Sequence, residues 1–171
     1  TQLVQDALCQ GNADGAIDLS TAGGTAPMAF NWSGPNGFSA TSEDIANVPA
    51  GVYVATITDA NGCALVHPVN VQEPGMFMVS SLMSGYPGGY QVSCAGASNG
   101  ALDIDVTGGT PGYQYSWTGP NGYTSIDQDI TGVPAGNYFV IITDANGCSH
   151  LEQYLLVAPA PLNVGLLASV W

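Results

Sequence analysis

Short runs in which every second residue is apolar dominate the chain. Along residues 16–20, Ile17 and Leu19 face one way and Asp18 the other; along 28–33, Met28, Phe30 and Trp32 share one face. That two-residue period is the signature of a β-strand with one buried side. Residues 3–8 alternate more weakly. Asp44 and Ile45 open a short strand that reaches Val48 and stops at Pro49-Ala50-Gly51, and residues 52–58, rich in β-branched side chains, read as a central strand. Residues 63–71 form the return strand. The breaks between these runs carry turn chemistry: residues 11–15 (Gly-Asn-Ala-Asp-Gly), Gly23-Gly24-Thr25, Pro35-Asn36-Gly37 and Asp59-Ala60-Asn61-Gly62. Proline presets φ in such turns, and Gly or Asn accepts positive φ. No stretch shows a sustained apolar period of 3.6, so helices are not expected.

The pattern occurs twice. Placing Cys9 on Cys94 superposes the chain on itself without gaps at a period of 85 (94 − 9). Cys63 then falls on Cys148, Trp32 on Trp117, Gly-Pro-Asn-Gly at 34–37 on the same residues at 119–122, and Asp44-Ile45 on Asp129-Ile130. Val48-Pro49-Ala50-Gly51-x-Tyr53 matches Val133-Pro134-Ala135-Gly136-x-Tyr138, and Thr-Asp-Ala-Asn-Gly-Cys at 58–63 recurs at 143–148. Self-similarity at a fixed period marks a repeat architecture. About seven short strands per period, separated by turns, predict a two-sheet sandwich in each copy. The expected domains are residues 1–80 and 81–171. Trp32, Trp117, Tyr53 and Tyr138 are the expected core anchors. The apolar bridge at 76–83 is expected to stiffen the joint, with Met76, Phe77, Met78 and Trp171 at an inter-domain seam. Both chain ends fall at nearly the same phase, which reads as a window on a longer array, and the strand-like start reads as a mature or excised piece.

Composition narrows the function. The 171 residues contain no Lys or Arg, 13 acids and two His, for a net charge of −13. Such a chain cannot neutralise phosphates, which excludes nucleic acid as a partner and disfavours anionic membranes. It also offers no cleavage site to trypsin-like proteases. There is no apolar stretch long enough to span a membrane. Each copy has two Cys, 54 positions apart (63 − 9 and 148 − 94). Four Cys allow three pairings. Identical local context favours Cys9–Cys63 and Cys94–Cys148, staples that a small core would use in an oxidising, extracellular setting; four buried free thiols are the alternative. Zinc is disfavoured, because no Cys-x-x-Cys pair exists and His67 and His150 occupy unmatched repeat positions.

These motifs, Gly-Gly-Thr followed by Trp32, Asp44-Ile45 with Val48-Pro49-Ala50-Gly51-x-Tyr53, residues 58–63 and the closing Glu73-Pro74, resemble the SprB-type repeat of large surface adhesins of Bacteroidota, including gliding-motility adhesins. The resemblance spans residues 9–74 and 94–159. It implies an all-β chain of two tandem immunoglobulin-like (PKD-like) sandwiches in a rod-like array, exported to the bacterial cell surface, with no catalytic residues to transfer.

The residues themselves point away from enzymatic chemistry. No Ser/His/Asp set recurs, and neither His is duplicated. Asp59 and Asp144 sit in Asp-x-Asn-Gly turns that superficially match calcium loops, but the full spacing and closing Glu of such loops are missing. Turn formation by the Asp side chain is the simpler reading. Calcium drawn in by Asp14, Asp18, Asp103 or Asp105 is a weaker candidate, and no other cofactor is expected. Trp32, Trp117 and the Tyr residues could stack on surface glycans, although the tryptophans occupy core positions. The leading expectation is therefore a protease-resistant spacer in a long extracellular adhesin or fibre, whose partners are neighbouring copies of the same repeat. The alternatives are a short subunit of a non-covalent filament, with the apolar segment 162–170 inserting into a neighbour as an added strand, and a lectin-like module.

Overall fold

A computed structural model describes residues 1–164. The chain divides into two units. The first is Thr1–Met76 with Gly108–Thr110, and the second is Phe77–Thr107 with Pro111–Trp171. Each is a sandwich of seven strands in two antiparallel sheets, and the described residues contain no α-helix.

Unit 1 holds β1 (Gln2–Gln5), β2 (Gly15–Leu19), β3 (Ala29–Ser33), β4 (Ser39–Ala40), β5 (Ile45–Val48), β6 (Gly51–Thr58) and β7 (Ala64–Val71). One sheet has the order β1-β2-β5 and the other β4-β3-β6-β7. Unit 2 repeats the plan with β8 (Met78–Met83), β9 (Ser98–Thr107), β10 (Gln114–Thr118), β11 (Thr124–Ser125), β12 (Ile130–Pro134), β13 (Gly136–Thr143) and β14 (Ser149–Leu156). Its sheets run β8-β9-β12 and β11-β10-β13-β14.

The alternation read from the sequence becomes the packing. Ile17, Leu19, Trp32, Ile45, Val48, Tyr53, Ala55, Ile57, Val69 and Val71 close the first core, and the equivalent set around Trp117, Tyr138, Val140 and Leu156 closes the second. In β6 every second residue is buried (Tyr53, Ala55, Ile57), as a strand with one covered face requires. The β6–β7 hairpin pairs Gly51 with Val71 through to Thr58 with Ala64 around the Asp59–Gly62 turn. Pro68 lies in β7, the edge strand of its sheet, where a missing N–H breaks no interior ladder.

The apolar bridge is a strand of unit 2. Met78 through Met83 pair with Thr107 through Leu102 of β9, so the division falls at 76/77 rather than 80/81. This strand also departs from the gapless repeat. Gln2 pairs with Leu19, whereas the equivalent of Leu19, Ile104, pairs with Ser81, an offset of 79 (81 − 2) instead of 85. Six extra residues (85 − 79) have entered the loop between the first two strands of unit 2. That loop contains the Tyr86–Tyr90 bridge and the turn at Gly88 and Gly89, both at positive φ.

Candidate functional site

The residues that recur between the copies go into the scaffold. The Trp32 indole N–H donates to the Ser42 carbonyl at 3.0 Å, and that of Trp117 to Asp127 at 2.9 Å. The Tyr53 hydroxyl donates to the Pro49 carbonyl and that of Tyr138 to Pro134, each at 2.8 Å, so Val-Pro-Ala-Gly-x-Tyr is a corner that hydrogen-bonds to its own start. The edge of Phe38 meets the Tyr53 ring, and Tyr123 meets Tyr138, in T-shaped pairs at 5.3 and 5.7 Å. Glycine opens the Gly-Pro-Asn-Gly turn because a Cβ at Gly34 or Gly119 would lie 2.5 Å from the tyrosine ring. The repeated Asp-Ile pair is explained by the Asp44 carboxylate accepting the Leu19 N–H, and Asp129 that of Ile104, at 2.9 Å. All four expected anchors are fully buried, which removes Trp32 and Trp117 from any sugar-stacking surface.

Asp59 holds its own turn. Its carboxylate accepts the N–H groups of Asn61, Cys63 and Thr25. Those bonds, that from Thr25 foremost, hold the carboxyl below its usual range. They also tie Gly-Gly-Thr to the hairpin, where the Thr25 carbonyl accepts the Ala60 N–H. Asp144 accepts the N–H groups of Asn146 and Cys148 in the same way. Asp14 accepts from Leu8. Asp18, Asp103 and Asp105 lie on outward faces of β2 and β9. Among the described residues, no three His, Cys, Asp or Glu side chains gather as a metal site would need.

The cysteines depart from the expected pairing within each copy. Cys9 and Cys148 are disulfide-bonded, while Cys63 and Cys94 carry exposed free thiols. Strand length explains why Cys9 cannot reach Cys63. Cys9 lies at the Val71 end of the sandwich, where the Ala7 N–H meets the Gln72 carbonyl and the Gly11 N–H meets the Glu73 carboxylate. Cys63 sits at the opposite end, on the hairpin turn. Eight residues of β7 separate the two ends, about 25 Å at the usual rise per residue. A disulfide needs Cα atoms within about 7 Å. Unit 2 repeats the layout: the Val92 N–H near Cys94 meets the Val157 carbonyl beyond β14, and Cys148 sits on the far turn.

A concavity lies at the turn end of unit 1. This groove, of about 540 Å³, is lined by Thr1, Leu19, Met28, Ile57, Leu65 and His67, with Cys63 among its other lining residues. His67 Nε2 sits 2.7 Å from Gln2 Oε1 at its rim. In unit 2 the same place is filled. Tyr113 stands where Met28 does and His150 where Leu65 does. Phe77 packs between them, stacked on His150 at 5.6 Å and tilted against Tyr113 at 6.2 Å. His150 in turn meets the Glu152 carboxylate at 2.9 Å. Of the expected seam, then, Phe77 belongs to the packing of unit 2, Met76 and Met78 are exposed, and Trp171 lies outside the described residues. Sequence reasoning missed the groove. The available signal was the first-strand offset of 79, which sets the position equivalent to Phe77 before Thr1.

Residues 1–37 and 91–122 match the family model of the SprB repeat. The two matches end at the same phase of the period, on Gly37 and Gly122, the last residues of the Gly-Pro-Asn-Gly turns. Each SprB match includes the tryptophan strand but stops before the corner tyrosine and the Asp-Ala-Asn-Gly hairpin. No curated protein sequence matches the chain. No helix among the described residues is long and apolar enough to cross a membrane.

Proposed function

We propose that this chain is a repeat segment of a long extracellular adhesin or fibre at the bacterial cell surface, in which each sandwich serves as a protease-resistant spacer. The observation that carries the reading is the fate of the repeated residues. Tryptophan, corner tyrosine, turn glycines and Asp-Ile pairs all maintain the same sandwich twice, and none is left over to build a catalytic centre. The SprB matches support a surface repeat. The disulfide-bonded Cys9 and Cys148 support an oxidising compartment. The absence of Lys and Arg supports persistence among trypsin-like proteases.

The test is the mass of the native polypeptide on a reducing, denaturing gel, detected with an antibody to this sequence. A band of hundreds of kilodaltons is the expected result. A band near 17.4 kDa would overturn the covalent array.

A further inference from the structure

We propose that the outer face of the β11-β10-β13-β14 sheet of unit 2 is a docking surface for the same face of a second copy of this chain, the two sheets packing face to face about a twofold axis.

The strand register gathers the apolar residues of this face. Phe139 and Ile141 alternate along β13 with the buried Tyr138, Val140 and Ile142, so their side chains point away from the core. Leu151 and Leu155 do the same on β14. Ile141 lies directly opposite Leu151, and Phe139 lies opposite Gln153, diagonal to both leucines. Opposite and diagonal neighbours on one face are close enough to interact. All four are exposed, from 38% at Phe139 to 61% at Leu151. A contiguous patch marks an interaction surface, which scattered apolar side chains do not.

Charge says what covers it. With 13 acids and no Lys or Arg, two copies repel wherever their acids meet, and no Lys or Arg ion pair can hold them together. A contact between copies needs a face without charge. Here the patch is bordered by Ser116, Thr118 and Gln153, and Glu152 falls on the other side of β14 beside His150. The second sheet of unit 2 also bares apolar residues, Met78 and Leu82, but Asp103 and Asp105 share that face, with Asp103 directly across from Leu82. Two copies meeting there would press four carboxylates together. The equivalent face of unit 1, on the β4-β3-β6-β7 sheet, is free of charge too, and bares Val52 and Val66.

Size sets the strength. A sheet of four strands with eight residues in β13 offers about 400 Å² of face. That is half of the roughly 800 Å² each partner gives to a standard interface, so one pair of faces makes a weak dimer. Repetition along a chain would raise the avidity. Only that gain rests on the covalent array proposed above; the contact itself belongs to the single chain.

The experiment is sedimentation equilibrium of the purified chain, its thiols blocked with iodoacetamide so that no disulfide forms between copies. The expected result is a mass that rises from 17.4 kDa towards twice that value at about 100 µM. Raising NaCl from about 0.05 to about 0.5 M should tighten the dimer several-fold, because salt screens the repulsion between the two acidic chains. The double variant Ile141→Thr, Leu151→Thr keeps strand-forming residues and should weaken the dimer about tenfold or more. Leu151→Glu should abolish it, and Leu82→Glu on the other sheet should leave it in place. Trp117 emission in urea checks that each variant stays folded. Undiminished dimers in the threonine variant, or dimers abolished by Leu82→Glu, overturn the face. Dimers that salt weakens overturn a charge-free contact. A chain that stays monomeric throughout, its patch covered by another segment or by a different protein, overturns the second copy as occupant. The native mass reads the covalent array separately, so either proposal can fail alone.

Discussion

The two units share a scaffold and differ at one end. In unit 2 the turn-end groove is closed by Phe77 against Tyr113 and His150, whereas in unit 1 the same place is an open concavity bordered by Met28, Leu65 and His67. The cores behind them are built alike, down to the 2.8 Å bond from each corner tyrosine. The position equivalent to Phe77 in unit 1 falls before Thr1 at the first-strand offset of 79, and the side chains that would flank it differ as well.

The sharpest way to break the comparison is to remove one core and watch the other. Trp32→Ala should cost unit 1 about 3–5 kcal/mol, the range for deleting a fully buried large aromatic. Trp117 emission should still report a folded unit 2 in a urea titration; loss of both signals together would show that the units are not separate in energy. Next in size, Phe77→Ala should cost unit 2 about 2 kcal/mol, less than a full core deletion because Phe77 is only partly buried. It should leave the unit 1 transition in place, which differential scanning calorimetry would resolve. Tyr53→Phe and Tyr138→Phe should each cost about 1 kcal/mol, the worth of one neutral hydrogen bond. Equal losses in the urea midpoints of the two units would confirm that the corners are equivalent.

The smallest effect is expected in alkali. Burial raises both hydroxyls above the ordinary range of a tyrosine. The unfolded tyrosines therefore lose their protons first. Stability is fully present below the ordinary tyrosine range and falls as pH rises through it. A urea midpoint that declines in alkali for the native chain, and declines less for the double Phe variant, is the expected outcome. An identical decline in both would exclude the corner tyrosines as its cause.

Much of the architecture was legible because period-two alternation and turn chemistry are local. Ile17 and Leu19, the Trp32 face and the Asp-Ala-Asn-Gly hairpin all needed only a few neighbouring residues to be read. Three features were not local. The disulfide expectation rested on identical context, and context says nothing about which end of a sandwich a cysteine occupies; only the run of β7 places Cys9 and Cys63 at opposite ends. The first strand of unit 2 was hidden because the six extra residues around Tyr86–Tyr90 shift it out of the gapless period. The groove was hidden because it depends on what Phe77 does in the other copy. The expected strand at 162–170 shows none over residues 162–164, and the remainder lies outside the described residues.

Placing the sulfurs at the ends leaves the interior of each sandwich without a covalent brace. Pulled along the chain once Cys9 and Cys148 are reduced, a unit held only by its ladders and core can give way completely. One period of 85 residues would then pay out about 280 Å of slack at full extension. A surface tether made of such units would absorb a sudden tug by yielding one unit at a time. Its force–extension trace should show steps of that length in reducing buffer, and lose them in oxidising buffer, where the disulfide-bonded Cys9 and Cys148 hold back the residues between them.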